Sequence, residues 1–200
     1  MKKYITVITI IVCMLSCKAQ SPIIPLGDRD VPDNLNGVYF KDVNNELDKF
    51  IGTWVYQNGD TSLTIELMKK IQVFNGRWYV DELLGEYKYI ENGTELINYL
   101  PRLTDPDIND QQHSISGNKV VFPLNSPICT DCNPTEKRFI LYFRDYTRRY
   151  LNTEILVQHL EDNGLEKIKI FVQGNGPVLL PEGAPETPTV PYGEYILIKQ

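Results

Sequence analysis

Asn-Gly is the strongest short signal for a β-hairpin, because both residues of a tight two-residue turn must take positive φ, which Asn and Gly tolerate. Among its occurrences in this sequence are Asn58-Gly59, Asn75-Gly76, Asn92-Gly93 and Asn163-Gly164, and the first three of these are spaced 17 residues apart. A strand out, a turn and a strand back take about that length. The spacing predicts an up-and-down meander with its Asn-Gly turns on one rim and return turns near Lys69-Lys70 and at 81–83. Nothing but the turn recurs, so this is not a sequence repeat.

Alternation of apolar and polar residues supports strands between the turns. "SLTIELM" puts Leu63, Ile65 and Leu67 on one face and Thr64 and Glu66 on the other. Further strands are expected at 86–90, 95–100, 120–122, 138–144, 155–159, 167–172 and 194–199, which makes about ten in all. So many strands with little helix predict an all-β fold, an antiparallel up-and-down meander barrel, with a two-sheet β-sandwich as the alternative; either manages exposed edges. Residues 174–194 hold Pro177, Pro181, Pro185, Pro188 and Pro191, a density no ladder strand accommodates. They are expected as a long loop, either a lid over a barrel mouth or a mobile excursion.

The amino terminus speaks to location. Lys2 and Lys3 precede an apolar run from Tyr4 to Leu15, a secretory signal pattern too short for the roughly 20 residues that span a bilayer. Ser16 followed by Cys17 resembles the lipobox of bacterial lipoproteins, with Met14 where Leu is more usual. The resemblance implies cleavage after residue 16 and a lipid on Cys17 that anchors the chain to the membrane. Lys18 after the Cys resembles lipoproteins of the outer membrane. Residues 17–43, rich in Pro and Asp, are expected as a tether, and 44–200 as the single domain. The net charge of -6 becomes about -8 without the leader, which argues against a nucleic-acid partner, since that needs a basic footprint.

"NELDKFIGTWVY" resembles the first motif of the lipocalins, with Phe50, Gly52 and Trp54 at the matching spacing. The resemblance implies a lipocalin-like barrel in which a short helix closes the narrow end and Trp54 packs there. It also implies a basic residue from the last strands over the indole, a cation–π contact worth roughly 0.5–2 kcal/mol. Lys199 is the candidate, with Lys167 and Lys169 behind it. "RDYTRRY" resembles the second motif of that family through Asp145 and Tyr146, with Tyr150 spaced differently. A plain core aromatic at a strand start is the other reading of Trp54. Taken together, "MKKYIT…LSCKAQSP", "LDKFIGTW" and "LLGEYKYIENG" resemble the uncharacterised lipoprotein families of Bacteroidota, which implies a cell-envelope location and no activity.

Candidate chemistry is sparse. Cys129 and Cys132 form "PICTDCNP", bracketed by Pro127 and Pro134 between strands. A disulfide stapling this loop is the leading expectation in an oxidising envelope, with free thiols and a catalytic dithiol as alternatives. Zinc needs two more ligands, and the two His, His113 and His159, lie far apart in sequence. "DPDINDQQHSIS" imitates a calcium loop through Asp105, Asp107 and Asn109, but Asp110 stands where Gly is required and Ser116 where the bidentate Glu belongs. No metal and no cofactor is therefore expected, and no nucleophile motif supports an enzyme. Tyr142, Tyr146 and Tyr150 are among many tyrosines in or near strands, suited to a ligand pocket or simply to strand packing. The expected function is a non-catalytic binding module for a small apolar ligand, held in the barrel. The alternative is a structural or assembly lipoprotein docking on other envelope proteins.

Overall fold

The computed structural model describes residues 22–28, 34, 36–121 and 137–200. Eleven strands form one sheet: β1 (Ile23–Pro25), β2 (Tyr39–Lys41), β3 (Gly52–Asn58), β4 (Thr61–Phe74), β5 (Tyr79–Glu91), β6 (Thr94–Asn98), β7 (Ile115–Val121), β8 (Arg138–Phe143), β9 (Thr153–Asp162), β10 (Leu165–Gly174) and β11 (Gly193–Lys199). Following the ladder from β5 through β4, β3, β11, β10, β9 and β8 leads to β7, which pairs back onto β5. The ring closes as an antiparallel eight-stranded barrel, lipocalin-like, rather than a sandwich. Closure removes the edges that two separate sheets would leave open.

The 17-residue spacing has a different meaning from the one expected. β4 runs unbroken for 14 residues and β5 for 13, so each interval between Asn-Gly turns holds one long strand and not a hairpin. The Asn75 turn therefore lies on the opposite rim from those at Asn58 and Asn92. No turn forms at Lys69-Lys70 because both stay in register with Leu83 and Glu82. The ladder shifts only after Lys70, where Gln72 takes φ 57° and its N–H is caught by Asp81 at 2.9 Å. A buried carboxylate accepting the freed N–H makes this bulge tolerable.

Residues 17–43, expected as a tether, contribute to the domain in their described part. β1 pairs with β2, and β2 joins β5 through Tyr39 and Phe40. Asp81 fixes this strap, accepting the Tyr39 hydroxyl at 2.5 Å and the Asp42 N–H at 2.9 Å.

The inward faces fill the barrel. Trp54, Leu63, Ile65, Tyr87, Phe139, Leu141, Phe143, Ile155, Val157, Ile168, Ile170 and Leu197 are fully buried in one cluster. Burying a large aliphatic or aromatic side chain contributes about 1.5–3 kcal/mol, so this interior is the main source of stability. Gly85 lets β4 and β5 approach closely: a Cβ there would stand 2.5 Å from the Glu66 carbonyl oxygen.

Candidate functional site

One end of the barrel is closed by the 3-10 turn Asp48–Phe50, two residues before β3. Trp54 donates its indole N–H to the Phe50 carbonyl at 2.8 Å, and Phe50 meets Phe139 edge-on at 5.5 Å between centroids. Gly52 sits at φ 130°, where a side chain is strained, and a Cβ would stand 3.3 Å from the Lys199 stem. β11 pairs Lys199 with Trp54 and places its ammonium 5.3 Å from the indole centroid. Glu166 accepts from Lys199 at 2.7 Å and faces His159 at 3.3 Å, and the His159 ring lies edge-on to both Phe50 and Trp54. Phe50, Gly52, Trp54 and Lys199 thus form one closing cluster, to which the sequence reading had not assigned His159 and Glu166. The arrangement packs and caps; it presents no open cleft among these residues.

The opposite end is closed by the Pro-rich segment 175–192, which is tied down rather than loose. Its Val190 is fully buried in the core. Asp145 accepts the Thr189 N–H at 2.8 Å, along with the Thr147 N–H at 2.9 Å and hydroxyl at 2.6 Å. Burial pushes the Asp145 carboxyl up, but the hydrogen bonds from Thr147 and Thr189 outweigh it and hold the pKa below the usual value. Arg148 donates to the Thr187 carbonyl at 2.6 Å and Tyr150 to that of Pro185 at 2.9 Å. Of the two expectations for this segment, lid or mobile excursion, its fastening favours a fixed cover.

Beside that cover, on the outside of the barrel, the loop 144–152 and the end of β10 enclose a cleft of about 520 Å³. Tyr142, Arg144, Asp145, Tyr146, Arg149, Asn152 and Asn175 are among the residues that line it. Tyr142 stands 55% exposed on the outer face of β8, with the Arg144 guanidinium 5.2 Å from its ring. Arg144 spends Nη1 on the His113 carbonyl at 2.8 Å and the Ser116 hydroxyl at 2.9 Å. Arg149 stacks on Tyr146 at 5.3 Å, and Arg102 reaches the same ring at 4.7 Å. A smaller hollow of about 210 Å³, lined by Ile140 and Lys119, adjoins the cleft and shares Tyr142 and Asn175 with it.

A buried polar cluster on the outer face of β5 holds the preceding segment in place. Glu86 is fully buried; it faces His113 Nδ1 at 3.0 Å and Arg102 Nε at 3.4 Å, and accepts the Ser114 hydroxyl at 2.5 Å. The serine bonds directly to the carboxylate and not to the imidazole, and Ser114 and His113 are sealed from solvent. The order of a catalytic triad, nucleophile to His to acid, is not made. Asp105, Asp107 and Asn109 lie in a solvated turn where Asn109 caps the next 3-10 turn by accepting from Gln111. Among the described residues no group of three or more His, Cys, Asp or Glu converges on a point. Cys17, Cys129 and Cys132 lie outside the described residues.

The sequence singles out Tyr142, Tyr146, Asp145 and the "RDYTRRY" run, but does not show that they frame a cleft with Asn152 and Asn175, which flank the neighbouring strands β9 and β10. The three Arg in a loop between two strands were the available signal.

The chain belongs to the DUF6705 family. The model of that family, described as a family of unknown function, matches residues 1–200. No curated protein and no solved structure matches the chain. The open cleft on the outer wall of the barrel is the feature of this chain on which a function can be argued.

Proposed function

We propose that the protein is a lipid-anchored lipoprotein of the cell envelope, attached to the outer membrane through Cys17, whose domain is a non-catalytic binding module. The ligand is held in the outer cleft at the covered end, not inside the barrel. One observation carries this placement: the interior is occupied by the protein's own side chains and capped at both ends, whereas the cleft has the roughly 300–1,000 Å³ usual for small-molecule sites. The small apolar ligand expected of an empty barrel gives way to one that suits Tyr, Arg and Asn.

Native mass spectrometry of the protein recovered from its own envelope fraction tests this reading. A small molecule that co-purifies with the wild type and is lost in Tyr142→Ala is the expected result. The same bound mass in both proteins would place the ligand elsewhere. The anchor has its own check: Cys17→Ser releases the protein from the membrane fraction, and continued membrane association would contradict lipidation there.

A second reading, docking on another envelope protein, is favoured by the exposed Phe171, Ile196 and Ile198 on the outer faces of β10 and β11. Lys167 and Lys169 interrupt that stripe, paired with Ile198 and Ile196 across the ladder, which makes it less apolar than a stable interface core.

A further inference from the structure

We infer that the outer cleft recognises an anionic group, a carboxylate or a phosphate, carried by a small molecule whose flat face lies on Tyr142. The inference rests on the binding-module reading and supplies the ligand class that reading leaves open.

The argument is one of uncommitted donors. Arg149 makes no hydrogen bond or ion pair with any described residue; its one contact is the face of Tyr146. Stacking holds a guanidinium flat while leaving its edge donors free, the geometry that meets a carboxylate or phosphate with two parallel bonds. Arg144 uses Nη1 internally, and its Nε and Nη2 have no partner among the described residues. The side-chain amides of Asn152 and Asn175 are likewise without partners there, and a backbone bond from Asn175 N–H to the Asn152 carbonyl at 2.8 Å sets them side by side. Donors from four side chains therefore converge on one cleft.

The acids nearby are already occupied. Asp145 lines the cleft itself, but it is buried and spends both carboxylate oxygens on Thr147 and Thr189. Glu154, at the edge of the neighbouring hollow, is buried and accepts from Gln173 at 2.7 Å. Glu82, which interacts with Arg144 and does not line the cleft, is driven up to about 7 by burial and by Asp110. In a chain of net charge -6, two guanidinium groups against one lining carboxylate are a local exception. Such a field raises the local concentration of anions and is weakened by salt.

Tyr142 supplies the other half of the recognition. A ring more than half exposed, with Arg144 at 5.2 Å, offers a flat apolar surface next to the cationic one. A sugar acid or an aromatic acid fits both halves; free phosphate fits only the cationic half.

Calorimetric titration of the full chain in mild detergent at low salt tests this, with sodium phosphate, glucuronate and neutral glucose as probes. The expected result is that both anions bind, glucose does not, and Arg149→Ala weakens the anions about tenfold or more with an unchanged melting temperature. Arg149→Lys recovers only part of the loss, since an ammonium lacks the planar fork. Glucuronate binding more tightly than phosphate, with the margin lost in Tyr142→Ala, identifies a sugar-borne carboxylate. Equal binding identifies the free anion as sufficient. Asn152→Ala is the second variant should Arg149→Ala fail to fold, and it weakens the anions several-fold. Glucose binding as well as glucuronate would overturn the anionic class while leaving a ligand-binding cleft intact. Failure of both anions to bind the wild type, or equal binding by Arg149→Ala, would overturn the inference outright.

Discussion

The two ends of this barrel are closed by different means. At one, a 3-10 turn, an indole, two phenyl rings and an imidazole pack without leftover polar groups, and Lys199 and Glu166 satisfy each other above them. At the other, the Pro-rich cover buries Pro188 and Val190 and is otherwise pinned by hydrogen bonds to Asp145, Arg148 and Tyr150. Among the described residues, the closing cluster at the packed end presents no open cleft to a ligand. An end closed by polar fastenings needs a loop dense in Arg, Asp and Tyr, and the side chains left over from that task face the cleft.

Substitutions at the two ends should therefore fail differently. Trp54→Ala is expected to have the largest effect, about 3–5 kcal/mol, because it empties a fully buried site and abandons the Phe50 carbonyl. Chemical denaturation would measure it, and a loss below about 1 kcal/mol would mean that the indole is not the keystone of that end.

Asp145→Ala follows, at about 2–3 kcal/mol, since it strands the Thr189 and Thr147 donors. Hydrogen exchange should quicken at Thr189 and Val190 and leave the Trp54 end protected. Uniform loosening of both ends would break the comparison.

Glu82→Gln is predicted to stabilise, in a pH-dependent way. The unfolded carboxyl ionises near 4.5 and the folded one near 7. Ionisation therefore favours the unfolded chain as pH rises between those values: the folded state keeps this group's contribution below 4.5 and has lost it above 7. Thermal melts should show Glu82→Gln more stable than wild type by about 1–2 kcal/mol at pH 8, discounted for partial exposure, and no different at pH 4. An equal gain at both pH values would assign the effect to packing.

Lys199→Ala is the smallest, about 0.5–1 kcal/mol for its contact with the Trp54 ring. An unchanged melting temperature would reduce Lys199 to a bystander at the packed end.

The packed end was legible in the sequence because its parts are close together or carry a recognisable pattern. Phe50, Gly52 and Trp54 fall within five residues, and their spacing carries the lipocalin resemblance. The all-β barrel class followed from alternation and Asn-Gly turns. Strand length did not, because a ladder continuing through Lys69-Lys70 depends on cross-strand pairing with Leu83 and Glu82, and a local reading sees only two adjacent charges. Residues 23–25 and 39–41 read as tether for the same reason: short parallel strands are recruited by β5, and their own composition does not announce them. The cleft was the least legible. Tyr142, Arg149, Asn152 and Asn175 come from one strand, one loop and a strand end, and the pairing of β8 with β9 and of β9 with β10 puts them on one wall.

Placement of the ligand outside the barrel is the central claim, and nuclear magnetic resonance tests it most directly. The full chain, labelled at backbone amides and at Ile and Leu methyl groups, would be titrated with the small-molecule fraction of its own envelope extract. Shifts confined to residues 142–153 and Asn175, with the methyl signals of Ile65, Leu141 and Ile168 unmoved, are the predicted result. Movement of those interior methyls with a silent cleft would contradict it and return the ligand to the inside of the barrel.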